Sequence, residues 1–148
     1  IQKITPTASG IHYNAKQLQA FSNKEFLTYQ GDGAAVAAGE KENYSQLWHL
    51  QSLRGEKNTV SFQPEASPGF YLVSENGKLT VSKHDGSDSF IANATFKQVE
   101  GLSNSEWSSY HLADKPEVYL VLHEGSLKLS KPSSNEEKEA ATFRPSAP

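Results

Sequence analysis

Apolar and polar residues along this chain change over in short bursts and not at helical spacing. Phe70-Tyr71-Leu72-Val73, Lys78-Leu79-Thr80-Val81, Val118-Tyr119-Leu120-Val121 and Ser126-Leu127-Lys128-Leu129 are four-residue, β-prone runs. The turn formers Glu75-Asn76-Gly77 and Glu124-Gly125 join them in pairs, the pattern of hairpins. Prolines and glycines recur every few residues, and the one alanine-rich stretch, Gly33–Gly39, is too short to hold a helix. The charged run Asn135–Lys138 reads as a solvated loop. The pattern predicts an all-β fold of short strands and hairpins.

The runs belong to an internal repeat. Phe70-Tyr71-Leu72, a glycine turn, Leu79-x-Val81 and Ala94-Thr95-Phe96 recur as Val118-Tyr119-Leu120, a glycine turn, Leu127-x-Leu129 and Ala141-Thr142-Phe143. Leu72 to Leu79 and Leu120 to Leu127 are both 7 residues, and Phe62 precedes Leu72 by 10, as Tyr110 precedes Leu120. A weaker first copy reads Leu18, Phe26-Leu27, Gly31-Asp32-Gly33, Ala35-x-Ala37 and Trp48. The period is 48 residues from Leu72 to Leu120 and from Trp48 to Phe96. Three copies of about four strands predict a β-trefoil over residues 1–148, with repeats at about 11–58, 59–106 and 107–148. Propellers need more blades to close. The repeated Leu, Phe and Tyr positions, with Trp48 and Phe96, should share one core. Tyr71 and Tyr119 alternate to the opposite strand face, as pocket walls or as edge packing.

Charge and composition narrow the function. The 148 residues carry 14 Lys+Arg against 17 Asp+Glu, a formal net charge of −3, which argues against nucleic-acid and anionic-membrane partners. No apolar run approaches the length of a membrane span. Cysteine is absent, so disulfides, thiolate metal sites and cysteine nucleophiles are excluded. His12, His49, His84, His111 and His123 show no metal-ligand spacing, and Asp85-Gly-Ser-Asp88 lacks the closing glutamate of a calcium loop. There is no phosphate loop, no Gly-x-Ser-x-Gly elbow and no interpretable carboxylate pair. Neither a metal, nor a cofactor, nor an enzymatic role is expected. The chain starts at Ile1 and contains no methionine, so a processed protein or a piece of a larger one is expected.

The segment Ser82–Leu102, together with Pro68-Gly-Phe-Tyr-Leu72, resembles the arabinose-binding domain of α-L-arabinofuranosidase B, carbohydrate-binding module family 42. That family repeats Pro-Gly-x-Tyr-Leu-Arg-His, then Asp-Gly-Ser-x-x-Phe, then Ala-Asp-Ala-Thr-Phe. The likeness is strong in the second copy, moderate in the third and faint in the first. It implies a β-trefoil that is non-catalytic, attached to a glycoside hydrolase in a secreted or periplasmic protein, and binds arabinofuranose side chains of polysaccharides. It also implies polar pocket residues at the motif's His and Asp. Here those positions are Ser74 and Asn93 in the second copy, and Leu122 and Ala140 in the third, where His123 and Glu139 stand next to them.

The expected site is therefore a shallow one in the second copy, lined by Tyr71, Ser74 and Asn93, with His84 and Asp85 nearby. Asp85-Gly86 also reads as a simple turn pair. Trp107 is either a sugar-stacking platform or a core residue. The competing expectation is a degenerate trefoil that braces an adjacent catalytic domain of the same polypeptide and holds no sugar.

Overall fold

The computed structural model describes residues 16–29, 37–39, 45–64 and 67–146. Twelve strands and two short helices follow one another in it. They are β1 (Lys16–Ala20), β2 (Phe26–Tyr29), β3 (Ala37–Gly39), β4 (Ser45–Gln51), β5 (Thr59–Pro64), β6 (Phe70–Glu75) and β7 (Lys78–Lys83). Then come α1 (Asp88–Asn93), β8 (Phe96–Glu100), β9 (Ser108–Leu112), β10 (Lys115–His123), β11 (Ser126–Ser130), α2 (Asn135–Ala140) and β12 (Phe143–Ser146). The all-β reading holds.

Every strand pairing among the described residues is antiparallel. β1 pairs with β4 and β12, β12 with β9, β9 with β8, β8 with β5, and β5 with β4, so these six strands form a circuit. The remaining strands form the hairpins β2–β3, β6–β7 and β10–β11; β2 also pairs with β1 and β4, β10 with β9 and β11 with β3, while β6–β7 is a sheet of its own. The last two hairpins turn on two residues each. Asn76 and Gly77 have φ of 52° and 80°, and Glu124 and Gly125 have 53° and 81°. Two successive positive φ values make the turn whose twist matches that of the flanking strands.

One buried cluster gathers the repeated apolar positions. Leu18, Phe62 and Tyr110 lie in it with Leu27, Leu72 and Leu120, and with Phe96 and Phe143. Phe62 meets Phe96 at 5.5 Å and Tyr110 edge-on at 5.4 Å. The side chain of Trp48 and the turn Gly31-Asp32-Gly33 lie outside the described residues.

The second and third copies also share a buried polar device. Ser61 precedes Phe62 as Ser109 precedes Tyr110, and both serines are fully buried. The Ser61 hydroxyl donates to the Ala94 carbonyl at 2.7 Å and accepts from the Leu53 N–H at 3.1 Å. The Ser109 hydroxyl donates to Ala141 at 2.6 Å and accepts from Leu102 at 3.0 Å. Each hydroxyl ties its β-strand to the helix exit of the same copy and to the connection entering from the copy before. The first copy has Gln17 at this position, 5% exposed, with no partner for its Oε1 among the described residues.

The two helices correct the sequence reading. α1 begins at the N-cap Ser87, whose hydroxyl accepts from the Phe90 N–H at 3.1 Å. α2 occupies the run that reads as a loop. A reciprocal cap starts it, in which Ser134 Oγ accepts from Glu137 N and the Glu137 carboxylate accepts from Ser134 N.

Candidate functional site

Strand alternation sends Tyr71 and Val73 to one face of β6, and Leu72 and Ser74 to the other. Leu72 enters the main core, while Tyr71 and Val73 form a second buried cluster with Phe90 and Ala94, with Leu53 packed against it. Phe90 holds α1 against this face. Its ring stacks on His84 with centroids 4.9 Å apart and planes 10° apart. Tyr71 meets His84 edge-on at 6.0 Å and Phe90 at 6.4 Å. The three rings form one aromatic shelf in which Tyr71 is 8% and Phe90 7% exposed, so the half-buried His84 is its open edge.

Local chemistry fixes the shelf. The Gly86 N–H donates to His84 Nδ1 at 3.0 Å, which leaves Nε2 to carry the proton of the neutral ring. Gly86 has φ of 82° and the Asp85 carboxylate accepts from Ser87 N at 2.9 Å and Ser87 Oγ at 2.6 Å, so Asp85-Gly86 is the turn pair its sequence suggests. The Ser87 hydroxyl, then its N–H, hold the Asp85 carboxyl below its ordinary 3.8. Asp85 thus orients the cap that starts α1, and α1 presents Phe90 to His84.

The other two expected residues stand elsewhere. Asn93 ends α1 and is exposed, one residue before Ala94 in the second cluster. Ser74 faces away from the shelf, because residues three apart on a strand lie on opposite faces. It lines a hollow of about 240 Å³ with Gly77, Leu112, Lys115, Val118, Leu129, Ser130 and Lys131. Among the described residues neither Ser74 nor Asn93 has a side-chain hydrogen bond. Tyr71, His84 and Asp85 come together with Phe90; Ser74 does not join them. Phe90 is the residue the sequence reading lacked, although it stands in the Asp-Gly-Ser-x-x-Phe motif.

The third copy differs in the same places. Tyr119 is half-buried and meets His111 edge-on at 5.5 Å, while Leu122 is buried in the main core. Glu137 takes the place of Phe90, so α2 buries no residue and no ring shelf forms there. His123 and Glu139 are exposed, His123 lying 3.8 Å from Glu124. Trp107 is neither a bare platform nor a core residue. It is half-buried, with the Arg144 guanidinium 4.1 Å from its ring centroid and Phe21 edge-on at 5.0 Å. Among the described residues no group of three or more His, Asp or Glu side chains could hold a metal ion.

The sequence profile of the alpha-L-arabinofuranosidase B (ABFB) domain matches residues 18–145. No curated protein matches the chain. Solved structures do. An arabinofuranosidase complexed with arabinofuranosyl-alpha-1,2-xylobiose has a TM-score of 0.74 at 17% identity over 90% of this chain and 30% of that one. A mutant GH54 a-l-arabinofuranosidase soaked with 4-nitrophenyl a-l-arabinofuranoside has 0.74 at 18% identity over 90% and 31%. A GH54 a-l-arabinofuranosidase soaked with a cyclic sulfate inhibitor has 0.74 at 17% identity over 90% and 31%. The likeness is one of fold, and this chain spans about 30% of the length of those enzymes.

Proposed function

This chain belongs to the alpha-L-arabinofuranosidase B (ABFB) domain family, and from that premise we propose that it is a β-trefoil carbohydrate-binding module of the family 42 type. In this reading it performs no chemistry. It holds arabinofuranose-type side chains of a polysaccharide and keeps an attached glycoside hydrolase near its substrate, in a secreted or periplasmic protein. The trefoil reading is supported by the six-strand circuit, the three hairpins and the paired Ser61 and Ser109 bonds.

One observation carries the binding reading: the half-buried His84, stacked on Phe90 and edge-on to Tyr71, in the copy whose α1 ends on Asn93, exposed and without a side-chain hydrogen bond among the described residues. A furanose ring needs an apolar wall for its C–H face and a polar group that both donates and accepts for its hydroxyls. His84 Nε2–H supplies a second donor. Asp85 acts by positioning α1, and Ser74 serves the hollow on the other face of β6. A single small sugar buries few atoms, so the dissociation constant should be about 10⁻⁴–10⁻³ M. Tethering to an enzyme turns such weak binding into residence on the polymer. Arabinofuranosyl and arabinofuranoside ligands in two of the fold neighbours point to the same class of sugar.

A second reading, a bracing domain that binds no sugar, draws on the third copy, where Leu122 is buried in the core and the ring shelf is missing. Titration with arabinose and arabinoxylan oligosaccharides, followed by amide chemical shifts, separates the two. The binding reading expects shifts at Phe90–Ala94 that disappear in Asn93→Ala. No shift up to tens of millimolar would leave bracing as the function, and binding that survives Asn93→Ala would move the site away from the shelf.

A further inference from the structure

Two hollows lie between the hairpins of the second and third copies, the smaller on the face of β6 opposite the shelf. One, of about 240 Å³, has Lys115 and Lys131 among its walls. The other, of about 350 Å³, has Lys78 and Lys128. They share Gly77 and Leu129, so they adjoin along one groove. All four lysines are exposed, and none has an ion-pair partner among the described residues. Four exposed lysines thus belong to the walls of one groove in a chain whose net charge is −3.

The walls between the charges are apolar. Leu112, Val118 and Leu129 line the smaller hollow together with Ser74 and Ser130, whose hydroxyls have no side-chain partner among the described residues. Solvated lysines alone would hold any anion loosely. An apolar wall with hydroxyl-bearing and cationic residues around it suits a ring that has a C–H face, hydroxyls and a carboxylate together. We propose that this groove binds a uronic acid unit of an acidic polysaccharide, its carboxylate between Lys115 and Lys131 and its ring against Val118 and Leu129.

The choice of a saccharide rests on the carbohydrate-binding function proposed above, but the two sites lie on opposite faces of β6 and are tested apart. The experiment is titration of the whole chain with glucuronic acid and with trigalacturonic acid at low salt, read from the amides of Leu129, Ser130 and Lys131. Glucose serves as the neutral control and acetate as the bare carboxylate. The expected result is a uronate response that both controls lack and that weakens about tenfold in the double variant K115Q/K131Q. It should also fade at about 0.5 M salt, where screening acts within about 4 Å. An equal response to glucose, an equal response to acetate, or full binding by the double variant would each overturn the assignment. Loss of arabinose shifts at Phe90–Ala94 with uronate binding intact would sink the shelf and leave this groove standing.

Discussion

Replacing Ser61 with alanine removes one hydroxyl and leaves two backbone groups without a partner. The Ala94 carbonyl loses the donor at 2.7 Å and the Leu53 N–H loses its acceptor at 3.1 Å. Ala94 is fully buried, so its carbonyl bears the full desolvation cost of about 1–3 kcal/mol. Leu53 is half-buried, water reaches its N–H more readily, and its share should be smaller, about 0.5–1 kcal/mol. The change removes one oxygen atom, so its cavity cost is minor. Ser61→Ala should therefore cost about 1.5–4 kcal/mol. Ser109→Ala should cost nearly as much, because its bonds to Ala141 and Leu102 have the same pattern. In a chain of 148 residues that corresponds to a melting point lower by roughly 3–16 °C. Urea denaturation followed by tryptophan fluorescence measures both variants. Losses below about 0.5 kcal/mol in each would refute the claim that these hydroxyls close the copies onto one another.

Three further outcomes follow from the same coordinates. A Cβ at Gly101 would collide with the Asn104 carbonyl oxygen and stand 3.0 Å from Thr142 Cγ2, so Gly101→Ala should destabilise by about 1–3 kcal/mol in the same denaturation assay. Glu124 holds φ of 53° in its hairpin turn, a conformation asparagine tolerates better, so Glu124→Asn should raise stability by about 0.5–1 kcal/mol. The Glu137 carboxyl is held below its ordinary 4.5 by the backbone N–H groups of Ser133 and Ser134. Its folded value lies below its unfolded one, so its stabilising contribution is complete above about pH 4.5 and is lost as the pH falls through the depressed value. Asp85, depressed by Ser87, adds the same sign lower down. The urea midpoint should fall with acidification below about pH 4.5, and Glu137→Gln should flatten the upper part of that fall.

Period-two patterning and turn chemistry carry most of the fold. Asn76-Gly77 and Glu124-Gly125 stand at their hairpin tips, and the spacing that aligns Phe62 with Tyr110 and Leu72 with Leu120 leads all four into one cluster. The two helices escape that pattern for a physical reason. Six residues make under two turns, too few for an apolar stripe to show, and such a helix persists through its cap and its contacts and not through periodicity. A signal was nevertheless present: Ser134 and Glu137 stand three apart, the spacing of a reciprocal cap. The same holds for the site. Tyr71 and Ser74 cannot share a wall, because an odd separation on a strand reverses the face, so strand geometry alone divides the expected pocket into a shelf and a groove. What no local pattern carries is the long-range closure. Arg54 meets the Asp114 carboxylate at 3.1 Å across 60 residues, and the Lys115 and Lys131 walls meet Ser74 only because β6–β7 folds against β10–β11. The shelf is written within the 25 residues from Phe70 to Ala94, although only the capped helix singles out Phe90 as its third ring. The groove needs residues of two copies at once, and only the packing of the two-stranded β6–β7 sheet against the larger sheet brings them together.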